Sequence, residues 1–318
     1  MSLTKPLWLV VFVALSAMPF IRQGTRVQEA APSSAVVYVG LVEDDRRQLE
    51  RLGTSDATPV PGRTVTPAFE TTNHRWRPIL NLNRHVTWTV AFDGKEVGKV
   101  ESEPIQPTSL ENVSGPINIH SILTPPAGIP MIGKPDGRFS GNYGRETRRP
   151  LVVVSQPNFT DPDQWKPRDA PDEVVSHARA KLRTVLNHLR QCDSSGEAVK
   201  TDWNYPDAEV RVVKSWGSNK GAFILETKFQ HNHCLFNVNG EDYQSLGGNQ
   251  FFFVAPNHEA TFLGLDWELV DAGDYDADGK SEVIFYIAEG KDVDVDHEGY
   301  ALFYDDFRRS VKFVWDNH

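Results

Sequence analysis

Four acidic residues lie close together near the C-terminus and lead directly into an apolar run. They are Asp274, Asp276, Asp278 and Glu282, and Gly279 lies between the last two. Alternate residues bring three carboxylates to one side of a tight loop, and the glycine permits the chain to reverse. A hard cation such as Ca²⁺ prefers oxygen ligands of this kind. The spacing therefore predicts a calcium site.

The predicted ligands are the side-chain carboxylates of Asp274, Asp276, Asp278 and Glu282 and the backbone carbonyl of Lys280. An EF-hand is excluded, because its loop needs a bidentate Glu at position 12, where this chain has Phe285. The alternative is an acidic turn solvated by water, since Asp and Gly favour turns in any case. Four carboxylates this close repel one another without a cation, so we favour calcium.

The order of residues in this loop resembles a known family. Asp-x-Asp-x-Asp-Gly, then an acidic residue and a strand, is similar to the calcium loops of FG-GAP and VCBS-type repeats, which occur in integrin-like propellers and many secreted bacterial proteins. The resemblance covers residues 271–288 and occurs once. That family usually has Asp where this chain has Glu282. Because a propeller needs several similar blades, the resemblance implies one β-hairpin that holds a cation.

The charge of the chain is concentrated around this loop. The 318 residues have an ordinary globular composition, and the formal net charge is −10. Fourteen acidic residues and only two lysines lie between Asp266 and Asp306. Such a local field attracts cations and repels polynucleotides. We therefore expect no nucleic-acid partner.

The first residues have the composition of a secretory signal. Lys5 precedes the apolar stretch 7–20. Within that stretch, Ala14, Ser16 and Ala17 are small residues of the type that signal peptidase accepts. This stretch is short for a membrane span. We predict a signal peptide over residues 1–24 and a protein that is secreted or held in the periplasm or cell envelope. A membrane attachment is expected only if the segment is not cleaved.

The chain has two cysteines, Cys192 and Cys234. In an exported protein they predict one disulfide, which would stabilise the fold by roughly 3 to 4 kcal/mol in the chain-entropy picture. The alternative is a pair of buried free thiols. His231 and His233, two residues apart, offer a further alternative, a transition-metal site, for which the sequence indicates no third ligand.

The remaining patterns predict an α+β fold that is rich in β-structure, with mainly antiparallel sheets and one amphipathic helix. Residues 34–103 are predicted to form a small antiparallel domain, with an Asp93-Gly94 hairpin turn. Residues 104–170 are a connecting region, because twelve of the 21 prolines lie between Glu103 and Pro171. Residues 171–318 are an α+β domain, with a helix from Asp172 to Cys192 before a series of strands.

These features favour an exported, calcium-stabilised, non-enzymatic protein that binds a protein or carbohydrate ligand or interacts with a surface. The alternative is an exported hydrolase that acts on carbohydrate through acidic catalytic residues. Sequence motifs of nucleophilic, zinc-protease and dinucleotide sites are absent, which favours the binding protein over the enzyme.

Overall fold

The computed structural model describes residues 36–43, 64–79, 82–104, 120–122, 149–187, 189–193, 198–200, 203–231, 236–238, 241–243, 249–289 and 297–316. Within these ranges the chain forms antiparallel strands and one α-helix, which confirms the predicted β-rich architecture. The predicted signal peptide lies outside them. A helix long and apolar enough to cross a bilayer is absent from these ranges.

The N-terminal strands form an antiparallel sheet that closes on itself. Its members are β1 (Val37–Glu43), β2 (Thr64–Thr72), β3 (Arg75–Pro78), β4 (Val86–Phe92), β5 (Lys95–Pro104), β6 (His120–Ile122) and β7 (Leu151–Val154). The order is β1-β7-β4-β5-β6-β2-β3, and β1 also pairs with β2. Six strands thus form a ring, with β3 attached to β2. We refer to it as the closed sheet.

Strand β7 illustrates how the closed sheet is packed. Its side chains alternate between two faces. Leu151 and Val153 pack with Trp88 in the interior of the ring, whereas Val152 and Val154 pack against C-terminal strands. A strand from the predicted connecting region is therefore central to this sheet.

The hairpin between β4 and β5 has the turn that its sequence predicts. Asp93 and Gly94 both have positive φ angles, +52° and +69°. Two positive φ angles in a two-residue connection are typical of a type I′ turn, whose twist matches that of the flanking strands. The Asp-Gly signal is confirmed.

A four-stranded sheet lies beside the closed sheet. It consists, in order, of β18 (Glu268–Gly273), β19 (Glu282–Glu289), β20 (His297–Tyr304) and β21 (Arg309–Asp316). Ile284 and Leu302 face the closed sheet, and Val283 and Phe285 face a further sheet. This sheet is buried on both faces, which explains the continuous apolar run of β19.

The further sheet has five strands: β8 (Lys166–Pro167), β12 (Val210–Gly217), β13 (Phe223–Phe229), β16 (Gln250–Val254) and β17 (Ala260–Leu265), in the order β17-β16-β13-β12-β8. Helix α1 (Asp172–Val185) covers its outer face, where Ala178 and Leu182 pack with Leu225 and Phe252. The layers are therefore helix, five-stranded sheet, four-stranded sheet and closed sheet. The remaining short strands are β9 (Leu186–Asn187), β10 (Gln191–Cys192), β11 (Ala198–Lys200), β14 (Phe236–Val238) and β15 (Glu241–Tyr243).

The helix is shorter than its periodicity predicts, so its expected end at Cys192 was wrong. It ends at Val185, because Leu186 and Asn187 leave the helix and pair with β14. Leu189 still reaches the same hydrophobic cluster from outside the helix, which is why the sequence spacing was misleading. Cys192 is buried. Its predicted partner Cys234 lies outside the described residues, and the disulfide stays a prediction.

Candidate cation site

The predicted calcium loop connects β18 to β19. Gly273 and Glu282 pair at the base of the hairpin, so residues 274–281 form the connection. Tyr275 is fully buried, and its ring stacks on Phe159 with the centroids 5.3 Å apart. A Cβ on Gly273 would lie 2.0 Å from the Phe159 ring, so only glycine admits this packing. The loop is thereby anchored to the core at its beginning.

Backbone amides of the loop point inward onto its own carboxylates. Asp274 Oδ1 accepts a hydrogen bond from the Asp278 N–H at 3.0 Å, and its Oδ2 accepts one from the Gly279 N–H at 2.9 Å. Asp278 Oδ1 accepts one from the Lys280 N–H at 2.8 Å. Gly279 has a φ of +84°, a conformation that glycine adopts without a Cβ penalty. The loop is therefore a closed, internally bonded turn.

Three carboxylates converge in this turn. One oxygen from each of Asp274, Asp276 and Glu282 lies within 4.8 Å of the others. Asp276 is 8% exposed and Glu282 is 2% exposed, while Asp274 is half-buried. The Tyr275 N–H donates to Glu282 Oε2 at 2.8 Å. We call these three residues the acidic group.

Asp276 has one carboxylate oxygen with a partner and one without. Its Oδ2 lies 2.9 Å from Nδ1 of His74. Its Oδ1 is buried and has no hydrogen-bond partner among the described residues. A buried carboxylate oxygen without a hydrogen bond is unfavourable, and buried charges in proteins are normally paired or bound to a metal. The unpartnered oxygen is therefore available to accept a hydrogen bond or to bind a cation.

Burial and mutual repulsion raise the pKa values of the acidic group. Burial raises the pKa of Glu282 well above its usual range, and the nearby carboxylate of Asp276 raises it further. Burial also raises the pKa of Asp276, against the hydrogen bond with His74, which lowers it. The pKa of Asp274 is raised by burial as well. The folded chain thus disfavours these negative charges unless a cation balances them.

The other two predicted ligands lie at the edge of the loop. Asp278 is exposed and forms a second group with His74 and Asp276, again within 4.8 Å. The ammonium of Lys280 lies 3.5 Å from Asp305 Oδ1. Coordination through the Lys280 carbonyl stays a prediction. The spacing therefore brought together three of the four predicted carboxylates and placed the fourth beside them.

His74 is a site residue that the sequence did not indicate. It lies 202 positions before its partner Asp276. Asn73 and His74 have φ angles of +52° and +56°, so the connection between β2 and β3 is a type I′ turn. Asn73 is a local signal for that turn. No local pattern shows that the turn meets a loop of another sheet.

A second segment, residues 156–163, fixes the loop from the side. Ser281 Oγ donates to Asp161 Oδ1, and the Asp163 N–H donates to Ser281 Oγ at 3.1 Å. The Gln156 side-chain amide donates to the backbone oxygen of Asp274 at 2.7 Å. These contacts hold both ends of the loop. The carboxylates are therefore positioned by a rigid frame.

Another buried carboxylate, Asp271, lies on the strand that leads into the loop, and it has a cation of its own. Arg149 is buried, and its Nη2 lies 3.4 Å from Asp271 Oδ1, while its Nη1 lies 2.7 Å from Asp93. The Gly94 N–H also donates to Asp271 Oδ1, at 3.1 Å. Burial raises the pKa of Asp271 to about 6, although Arg149 acts to lower it. This pair connects the closed sheet to the four-stranded sheet.

Together these features define a β-rich protein with an acidic hairpin loop, two of whose carboxylates, those of Asp276 and Glu282, are buried. Comparisons with protein-family profiles, with curated proteins and with solved structures find no match to this chain. The resemblance to FG-GAP and VCBS-type loops stays a prediction that depends on residues 271–288.

Proposed function

We propose that the loop binds one Ca²⁺ and that the protein is an exported, calcium-stabilised binding protein. The ligands are the predicted set: Asp274, Asp276, Asp278 and Glu282 through their carboxylates, and Lys280 through its backbone carbonyl. The observation that supports this proposal most strongly is the buried, unpartnered Oδ1 of Asp276. A cation bound there satisfies that oxygen and offsets the repulsion among the carboxylates.

The donor set favours calcium over other common ions. All predicted ligands are oxygens, which are hard donors and suit Ca²⁺ or Mg²⁺ better than softer metals. Mg²⁺ demands a near-ideal octahedron and keeps several of its waters. A loop that supplies several carboxylates and a carbonyl to one ion fits the larger and more adaptable shell of Ca²⁺.

The role we assign to the ion is structural. Glu282 begins β19, a strand buried on both faces, and Asp276 contacts His74 of the closed sheet. An ion held by both acidic residues therefore links a hairpin of one sheet to a turn of another. If the ion binds only the folded state, calcium at about 100 times its dissociation constant adds roughly 2.7 kcal/mol to the free energy of unfolding.

The ligand that the exported protein binds is proposed as a class only, a protein or a carbohydrate. The alternative of a carbohydrate hydrolase requires acidic catalytic groups beside the ion. A groove of about 710 Å³ is lined by residues of 167–179 and 212–216, and none of the five predicted calcium ligands lines it. Its charged lining includes Arg168, Arg179 and Lys214 and also two carboxylates, Asp169 and Asp172, but the hydrolase alternative requires acidic groups beside the ion. This groove therefore gives the hydrolase no support.

Calorimetry and thermal melting test the calcium proposal. We expect the wild type to bind one Ca²⁺ and to melt at a higher temperature with calcium than with a chelator. Asp276→Asn, which removes a ligand charge but keeps the shape, should abolish most of both effects. The matched control is Asp306→Asn, an exposed acidic position on a turn of the same sheet, and it should retain both. A wild type that binds no calcium, with an unchanged melting temperature, refutes the proposal.

A further inference from the structure

A separate set of metal-ligating side chains lies where helix α1 meets the turn between β16 and β17. Its members are Glu173, His177 and His258, and one ligand atom from each lies within 4.8 Å of the others. Glu173 and His177 are four residues apart on the helix, so they share one face. His258 belongs to the turn. None of the three is a ligand in the calcium proposal.

The contacts within this set are already close to those of a metal site. His258 Nδ1 lies 3.1 Å from Glu173 Oε1, and the rings of His177 and His258 have centroids 5.3 Å apart. Ligand atoms that bind one tetrahedral Zn²⁺ at about 2.0 to 2.1 Å are separated by roughly 3.4 Å. The Glu173 to His258 distance is near that value. A ring nitrogen of His177 lies within 4.8 Å of both other ligand atoms, so metal binding requires the His177 side chain to move closer to them.

The backbone on both sides of this set is firmly held. Val174 and Ala178 of the helix are buried in the cluster that includes β16. In the turn, the His258 N–H donates to the Ala255 oxygen at 2.8 Å, and His258 has a φ of +67°. The side chains themselves remain accessible, since that of Glu173 is 68% exposed and that of His258 is 38% exposed. An ion from solution can therefore reach a preformed frame.

We propose that Glu173, His177 and His258 form a second metal site, which binds Zn²⁺ or a similar divalent transition metal. Two imidazoles and one carboxylate are donors that zinc binds readily, whereas calcium prefers six to eight oxygens. A surface ion pair explains only the contact of Glu173 with His258, and it gives no role to the ring of His177. Three protein ligands leave a fourth position for water or for a group from outside the chain.

Zinc titration of the full chain by calorimetry, with calcium at saturation so that the acidic loop is filled, tests this site. Even outer-shell partners of a metal contribute about 10- to 100-fold to affinity, so loss of a direct ligand should weaken binding at least about tenfold. We expect this loss in His177→Ala and in His258→Ala. Glu173→Gln, which keeps the size of the side chain, should show it as well. Circular dichroism and melting without zinc check that each variant folds.

The matched control is His85→Ala. His85 is 70% exposed and lies 3.8 Å from one carboxylate oxygen, that of Glu103, but it belongs to none of the candidate metal groups among the described residues. This variant should bind zinc like the wild type. Three results overturn the proposal: no zinc binding by the wild type, equal affinity in His177→Ala and wild type, or an equal loss of affinity in His85→Ala. None of them bears on calcium, because the calcium loop is full in every titration.

Discussion

Two buried carboxylate sites lie on one hairpin and differ in the cationic side chains that lie beside them. Asp271, on β18, has the buried guanidinium of Arg149 beside it at 3.4 Å. Asp276 and Glu282, in and after the following loop, are comparably buried. Among the described residues, no lysine or arginine forms an ion pair with either of them. The basic neighbour that the described part of the chain gives them in an ion pair is His74, which contacts Asp276.

Asp271 has a cationic partner that is a permanent part of the fold, whereas we propose that the acidic group is balanced by an ion from solution. Arg149 belongs to the chain, so Asp271 has a cationic partner whether or not a metal ion is present, although burial still raises its pKa to about 6. If the loop binds calcium as we propose, the contribution of the acidic group to stability varies with the calcium concentration. On that proposal, one hairpin has a fixed attachment to the closed sheet at β18 and a calcium-dependent one at the loop.

The largest effect is expected from removing the built-in cation. Arg149→Met leaves Asp271 as a buried charge without its partner, and breaking a buried ion pair in this way typically costs roughly 3 to 5 kcal/mol. We expect this loss in the free energy of unfolding, measured by denaturant titration. Added calcium should not restore it, because the calcium loop is a separate site.

Two further variants sharpen that experiment. Arg77→Met removes an exposed arginine that pairs with Glu70, and exposed pairs contribute only about 0 to 1 kcal/mol. It serves as the control for loss of an arginine. Arg149→Met combined with Asp271→Asn should be more stable than Arg149→Met alone, because the unpaired charge is gone. If the double variant is no better, the cost comes from the other contacts of Arg149, which are its packing on Phe92 at 4.5 Å and its hydrogen bonds to the Val270 carbonyl and to Asp93.

The features that we predicted correctly from the sequence are those that depend on residues close together in the chain. The acidic loop is one example, since its predicted ligands lie within nine residues of one another and Asp274, Asp276 and Glu282 converge there. The Asp93-Gly94 turn is another, because its φ angles depend on those two residues. Strand alternation and the apolar spacing of α1 are local in the same sense.

The parts that the sequence did not predict depend on contacts between distant segments. The helix ends at Val185 because β14 pairs with the residues that follow, and nothing in the periodicity indicates that pairing. Arg149 and His74 reach their carboxylates across sheets. The histidines give a further example. His231 and His233 were candidate metal ligands because they lie two residues apart, whereas His177 and His258 meet because a helix packs on a turn.

A smaller effect on stability is expected when the pH is changed so that Asp271 titrates. The pKa of Asp271 is raised from 3.8 to about 6 in the folded protein. Between these values the folded state keeps a proton that the unfolded state has lost, so stability falls as the pH rises through this window. The shift corresponds to roughly 3 kcal/mol at most. Asp271→Asn lacks this titration, and its stability relative to the wild type should improve by up to that amount from pH 4 to pH 7.

The pH experiment is a difference measurement, with calcium at saturation in both proteins. Titration of the acidic group then affects the wild type and Asp271→Asn alike and cancels. The asparagine oxygen can still accept the Gly94 N–H, so the hydrogen bond to the closed sheet is kept. Parallel stability curves for the two proteins would mean that Asp271 is charged in the folded state down to its ordinary pKa and that Arg149 balances it completely.

The smallest effect is expected from a change in the acidic group. The sign of this effect on stability depends on whether calcium is present, which makes it specific to that group. Glu282→Gln keeps an oxygen for the Tyr275 N–H and removes one charge from the buried acidic group. With a chelator present, this relief of repulsion should stabilise the variant over the wild type, because burial and the carboxylate of Asp276 both disfavour the charge on Glu282. With calcium present, the variant should be the less stable protein, because it has lost a ligand. Melting temperatures measured in both conditions should therefore change order.

Glu259→Gln, at an exposed position in the turn between β16 and β17, is the control and should shift neither curve. If Glu282→Gln lowers the melting temperature with and without calcium, the carboxylate stabilises the hairpin by its own contacts, and the contrast between the two sites does not hold.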